Sequence, residues 1–464
     1  MLTDLSKNSK IEENKEEVEN IYKEFKNQFE LILKKFKDGK YLQENDTNFM
    51  FYLGALLNDT IFRQQKYFRT SGLLKQIVPF YKYISIEKAE MILNICLRLQ
   101  RSISRTKMIK TSPLKKVAET LFNNISEKEF ISSDEDLALC LITGYNLYSK
   151  AIFDVFSKEK SYELQYIKLW EFSNYKDNNS FKIGFLIAIY FFKIEEMQRK
   201  FLKTMSLLKK INRFLRKPKM KEAKKFLKEI NSIALKVHST MKYTSNKKSK
   251  IRNYLPGDFI QLRLFEYLNM ELDSDINSLE LFLGFITGFI WRYNFRLHKI
   301  KLDIDPIKQV NEPERILKND QIVVTEEHFI KSLIEKNFQN QNAETSYLLG
   351  ILFQAISQDE EKILKTRSLL KQFSFLFRTF ELKNIKKTYL EIFRVYIKLW
   401  MNKVKTTYNP KEQTVKYFRK FPYIGAQLVF NFGKIIDFVN ENNITLAFIQ
   451  GYDSFRRLYN KLNA

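Results

Sequence analysis

Apolar residues fall at helical spacing along this chain, and the arrangement returns three times. Between Ile86 and Ser104, Ala89, Ile92, Leu93 and Cys96 recur every three or four positions, which puts them on one face of a long amphipathic helix. Just upstream, three twelve-residue segments align without a gap: Lys66–Ile77 (KYFRTSGLLKQI), Lys200–Ile211 (KFLKTMSLLKKI) and Lys362–Phe373 (KILKTRSLLKQF). Each runs Lys, two apolar residues, a basic residue, Thr, any residue, Gly or Ser, and then Leu-Leu-Lys.

Two further motifs flank every copy. An apolar stretch holding one small Gly precedes it: YLGALL from Tyr52, IGFLIA from Ile183 and YLLGIL from Tyr347. A closing stretch follows: Leu139–Tyr145 (LCLITGY), Leu283–Phe289 (LGFITGF) and Leu446–Tyr452 (LAFIQGY), whose Gly144, Gly288 and Gly451 lie 74, 84 and 85 residues beyond the motif Thr. Motifs kept in one order over three copies imply a repeated structural unit. The spacing therefore predicts an all-α chain of three tandem helical-bundle repeats, residues 41–170, 171–330 and 331–464, after a helical lead-in at 1–40. Polar joints lie near Asn174–Ser180 and Asp303–Asp320. The second unit carries an inserted loop at Tyr243–Gly257, with Lys247, Lys248, Lys250 and Arg252.

Within a unit, the Gly of the first helix lets a neighbouring helix approach closely, and Gly54, Gly184 and Gly350 are expected to be equivalent. The motif Thr starts a new helix, where its hydroxyl is expected to cap the free amides of the first turn, and Leu-Leu enters the core.

Composition agrees with long helices. The 464 residues hold only 12 Gly and 8 Pro, too few for the turns of a many-stranded sheet, while 44% hydrophobic and 15% aromatic residues can fill sizeable cores. Cys96 and Cys140 lie in apolar helical runs and read as small hydrophobes, so no disulfide framework is implied and a reducing cytoplasm fits. The first residues are polar and acidic, unlike a secretory signal. Ile183–Phe192 and Leu281–Trp291 are shorter than the roughly 20 residues that span a bilayer.

Charge changes the picture more than composition does. Lys and Arg number 79 against 53 Asp and Glu, a net charge of +26, which points to a polyanionic partner. An AT-rich genome would also enrich Lys, along with Asn, Ile and Phe. The candidate contacts are the motif cations: Lys66, Arg69 and Lys75; Lys200, Lys203 and Lys209; Lys362, Lys365 and Lys371. A helix N-terminus offers unsatisfied amides and partial positive charge, and mobile cations around it complete a phosphate site. Arg98, Arg101 and Arg105 share one helix face. The stretch Lys193–Lys228, which includes Arg213, carries fourteen basic residues against Glu195, Glu196 and Glu222. Tyr67, Phe68, Phe201 and Phe214 interleave with these cations and can either stack on bases or fill cores.

Catalysis finds no comparable pattern. His238, His298 and His328 are the three histidines, and none stands at metal-ligand spacing with Cys, His or an acid. Each reads as a surface or capping residue. No phosphate loop, nucleophile elbow or recurrent carboxylate pair is present, so neither an enzyme nor a cofactor or metal site is expected.

Through Tyr347–Leu352, Thr366–Lys371 and Phe448–Tyr452, the chain resembles the helical C-terminal region of the large subunit of type I-B CRISPR interference complexes, which also occurs as a separate small subunit. The resemblance implies helical bundles that stack along an antiviral effector complex and hold guide RNA or single-stranded DNA backbone without cutting it, beside other effector subunits. The chain departs from that family in carrying three copies and in lacking the large subunit's N-terminal portion. A helical-repeat scaffold that binds other proteins through a curved face is the alternative. An enzyme assembled only in three dimensions would be a third class, but each candidate acid or His occurs in one copy alone.

Overall fold

The computed structural model describes residues 46–107, 114–125, 130–153, 178–216, 219–240, 277–298, 341–372, 381–406 and 442–463, with short helical pieces within 260–268 and 424–435. Every element among them is a helix: α1 (Asp46–Phe68), α2 (Gly72–Lys82), α3 (Ile86–Lys107), α4 (Lys115–Asn124), α5 (Asp134–Phe153), α6 (Asn179–Met197), α7 (Ser206–Arg216), α8 (Met220–Thr240), α9 (Ser278–His298), α10 (Gln341–Asp359), α11 (Leu382–Thr406) and α12 (Asn442–Asn463). The lead-in at 1–40, the inserted loop at Tyr243–Gly257 and the joint at Asp303–Asp320 lie outside the described residues.

The chain gathers into two compact units. One comprises Met1–Leu164, Lys193–Leu207 and Ala223–Asn269, the other Gln165–Phe192, Leu208–Glu222 and Met270–Ala464. The division runs through the second sequence copy, whose α8 goes almost entirely with the first unit while α6 up to Phe192 and all of α9 go with the second.

Close helix crossings account for the glycines. A methyl group on Gly54 of α1 would lie 1.9 Å from the Leu141 carbonyl oxygen of α5, and one on Gly144 would lie 1.8 Å from the Phe51 carbonyl oxygen. Only hydrogen fits on either side. Gly350 and Gly451 make the same mutual approach between α10 and α12, and Gly184 and Gly284 make it between α6 and α9. The expected equivalence of Gly54, Gly184 and Gly350 needs one correction. Gly54 and Gly350 stand 16 residues before Thr70 and Thr366, whereas Gly184 stands 20 before Thr204. By spacing Ala188 is the counterpart, and a methyl group on Gly288 would sit 3.0 Å from its Cβ. The α6–α9 approach therefore runs one turn further, with glycine at 184, 284 and 288 and alanine at 188.

The Leu-Leu pairs enter cores as expected: Leu73, Leu74, Leu207, Leu208 and Leu369 are buried, and Leu370 is half-buried. Burying one such side chain stabilises the fold by about 1.5–3 kcal/mol. Cys96 and Cys140 are buried free thiols, each pushed up to about 12 by desolvation.

Each unit also contains one helix laid over a closing helix, in the same register. In the first, Lys224 Nζ of α8 reaches Asp136 of α5 at 2.6 Å, Lys228 pairs with Asp134, and Leu235 joins the core around α1 and α5. In the second, Lys386 of α11 pairs with Glu280 of α9 at 3.3 Å, and the Phe393 ring packs edge-on against Phe282, Phe285 and Phe289. Lys224 and Lys386 both lie twenty residues after their motif Thr, and Asp136 and Glu280 both lie eight before Gly144 and Gly288. His238 of α8 is buried, at 2% exposure, so this histidine is a core residue and not the surface or capping residue expected. His298 ends α9, and His328 lies outside the described residues.

Candidate nucleic-acid interface

The motif segment folds as a sharp corner between two helices. α6 and α10 widen at their ends into π-type turns, Gln198–Leu202 and Glu360–Leu364. The chain then passes through one left-handed residue: Lys203 (φ 55, ψ 29) and Lys365 (φ 56, ψ 32). Arg69 (φ 55) takes the same conformation after α1. Among the described residues these are the non-glycine positions with positive φ. All three are the second cation of the motif.

The Thr hydroxyl is not the cap. In α2 the capping position is Ser71, whose side chain makes no capping hydrogen bond. Instead the Leu73 amide donates to Gln64 Oε1 at 3.1 Å, Leu207 to Gln198 Oε1 at 3.2 Å and Leu369 to Glu360 Oε2 at 3.0 Å. Each acceptor lies nine residues upstream, in the preceding helix or at its π-type end, and is buried at 7%, 0% and 1% exposure. The first helix thus folds its own side chain back over the start of the next, satisfying an amide that a helix N-terminus leaves open.

Hydroxyls complete the corners. Gln198 Nε2 donates to Thr204 Oγ1 at 2.9 Å and to Ser206 Oγ at 2.6 Å. Glu360 Oε1 accepts from Thr366 Oγ1 at 2.7 Å, from the Ser368 amide at 2.8 Å and from Ser368 Oγ. Burial pushes the Glu360 carboxyl up, but these donors outweigh it and hold the group below its ordinary range. The free helix-start amide that the sequence offered to phosphate is therefore already bonded within the chain at all three corners. In the third it meets a carboxylate. What a phosphate could still meet there is the motif's cationic side chains.

Lys66, Arg69, Lys75, Arg98, Arg101, Arg105, Lys200, Lys203, Lys209, Arg213, Lys362, Lys365 and Lys371 are all exposed. Lys66 Nζ lies 5.2 Å from the centre of the Tyr67 ring and Lys200 Nζ 5.3 Å from that of Phe201. Phe201 is exposed and Tyr67 and Phe68 half-buried, whereas Phe214 is core at 1% exposure. Parts of the basic stretch serve the fold instead: Arg199 pairs with the buried Glu195 at 2.7 Å, and Lys224 and Lys228 hold α5. Arg213 stands 4.0 Å from Glu222.

The residues missed from sequence are Gln64, Gln198 and Glu360. Their signal is present there, since an amide or carboxylate side chain stands six residues before the motif Thr in every copy. Among the described residues, no cluster of His, Cys, Asp or Glu could hold a metal, and no helix is long and apolar enough to cross a membrane. The chain matches no protein-family model, no curated protein and no solved structure.

Proposed function

We propose that this chain is a non-catalytic, cytoplasmic subunit of a CRISPR effector ribonucleoprotein in antiviral defence, holding RNA or single-stranded DNA by its backbone beside other effector subunits. The family assignment rests on the motif resemblance, and the binding role on the corners. A left-handed residue that is not glycine costs about 1 kcal/mol, and glycine is the usual solution at a helix end. Three corners each retain a side chain at that cost, and each time it is Arg or Lys, with the charge exposed. Charge in use explains that choice better than packing does. Affinity then comes from phosphate neutralisation, independent of base sequence.

Titration of unrelated RNA and single-stranded DNA oligonucleotides at two salt concentrations tests this. The parent should bind all of them, more weakly at higher salt. Changing Lys66, Arg69, Lys200, Lys203, Lys362 and Lys365 together to Gln should weaken binding and flatten the salt dependence by about 0.7 per phosphate no longer neutralised on a single strand. A parent that binds nothing at low salt would favour the second reading, a helical-repeat scaffold for protein partners. The exposed Leu446 and Ile449 on α12 speak for that reading.

A further inference from the structure

Tyr83 joins α2 to α3, and its backbone and its side chain do different things. The backbone is extended (φ −136, ψ 93), and its amide donates to the carbonyls of Pro79 at 3.4 Å and Phe80 at 3.1 Å, closing α2. Any residue but proline makes those bonds. The ring stays out of the core: it is 61% exposed, between the fully buried Tyr81 and the half-buried Ile84, which packs against the core. Folding therefore explains the backbone at this position and leaves the aromatic side chain unexplained.

Positive charge surrounds the ring. Lys82 Nζ stands 4.9 Å from the ring centre and Lys88 Nζ 5.3 Å, and Lys88 is held there because its ammonium also donates to the Tyr83 carbonyl at 3.2 Å. The Lys88 amide in turn donates to Ser85 Oγ at 3.4 Å, so the turn that starts α3 fixes the root of this lysine. The same pairing recurs in the first compact unit at Lys66–Tyr67 and Lys200–Phe201, at 5.2 and 5.3 Å, with Phe201 exposed. At the third corner the aromatic position holds Ile363. Glu87 and Glu90 are exposed on the first turns of α3 and oppose a phosphate there, but the charges standing against the ring are both ammonium groups. Beyond Lys88, the exposed Arg98, Arg101 and Arg105 continue the positive charge along α3.

We propose that Tyr83 is a stacking platform for one unpaired base of a single-stranded nucleic acid, with Lys82 and Lys88 meeting the phosphates on either side of that base. This rests on the nucleic-acid reading above and adds base contact to what is otherwise backbone binding. An aromatic face accepts any base, so binding stays independent of sequence but comes to depend on the base being unpaired. A protein surface is the rival occupant, and its chemistry fits less well. An aromatic anchor between proteins is buried in a water-excluded centre from which Lys is depleted. Closing such a surface over Tyr83 would strip water from two ammonium groups at once. A nucleotide offers a π face to the ring and anions to the lysines.

Two strands of about twelve nucleotides, oligothymidylate and an abasic strand of the same length, are titrated into the full-length chain at low salt. The parent should bind both, the thymidylate more tightly. Tyr83→Ala should weaken thymidylate binding about fivefold or more and leave the abasic strand unchanged, whereas Tyr83→Phe should bind as the parent does. Lys82→Gln with Lys88→Gln should weaken both strands. Circular dichroism should show every variant folded as the parent, because none of these side chains is buried. If Tyr83→Ala holds thymidylate as tightly as the parent, or weakens both strands alike, the stacking platform is wrong while phosphate binding stands. If the parent binds neither strand, the nucleic-acid reading falls and the platform with it. A folded Tyr83→Ala variant that keeps its affinity for thymidylate and loses a co-purifying protein would give the ring to a protein surface.

Discussion

The corners at Gln198 and Glu360 share a backbone and differ in charge. Both follow a π-type turn, both pass through a left-handed Lys, and both cap a Leu amide nine residues on. A neutral amide does this work at Gln198 and Gln64, so those helix starts keep their partial positive charge. At Glu360 a carboxylate accepts four donors and cancels it. Identical folding can therefore leave unequal electrostatic surfaces, with the first two corners better suited to phosphate than the third.

Both corners hang on the helix crossings behind them, so the largest effect lies there. Gly284→Val and Gly451→Val should each cost about 4 kcal/mol or more in denaturant unfolding, because backbone must move on both sides. A tolerated valine at either site would remove the common frame. Removing the cap comes next. Glu360→Ala should cost about 2–3 kcal/mol, since it strands donors that met a charge, and Gln198→Ala about 1–2 kcal/mol. Equal losses would erase the distinction between the corners.

Acid separates them further. Glu360 has its pKa lowered on folding, so its contribution is fully present above the ordinary value of 4.5 and is lost as pH falls through the lower folded value. Stability of the parent should fall over that range, and Glu360→Gln should flatten the fall without changing the behaviour of the Gln198 corner. Unfolding curves taken from pH 5 downward would show it. The smallest effect belongs to Thr70→Ala, expected within about 0.5 kcal/mol because the Leu73 amide is held by Gln64 and not by the Thr hydroxyl.

Local periodicity makes the helices legible, down to the start of α3 at Ile86 and the burial of Ala89, Ile92, Leu93 and Cys96. What escapes it depends on side chains reaching across a turn. Gln64 and Gln198 sit in helical runs where an amide reads as solvated, and only the left-handed residue after them folds that amide onto the next helix. A Thr before a helix is so ordinary a cap that it hides the better acceptor six residues upstream. Gly184 makes the same close approach as Gly54 but stands four residues further from its corner, where spacing alone puts Ala188. His238 looks like a surface residue because nothing local marks its face of α8 as buried. The thirteen candidate cations are all exposed, which the charge count alone does not guarantee.

The left-handed cations allow stability and binding to be separated in one variant. Arg69→Gly, Lys203→Gly and Lys365→Gly together relieve the backbone at all three corners while deleting the charges. The expected result is a melting temperature at or above that of the parent, weaker binding of single-stranded oligonucleotides, and a salt dependence flatter by about 0.7 for each phosphate no longer neutralised. A triple variant that melts no lower and binds RNA and single-stranded DNA with unchanged affinity and salt slope would contradict a phosphate-binding role for the corners.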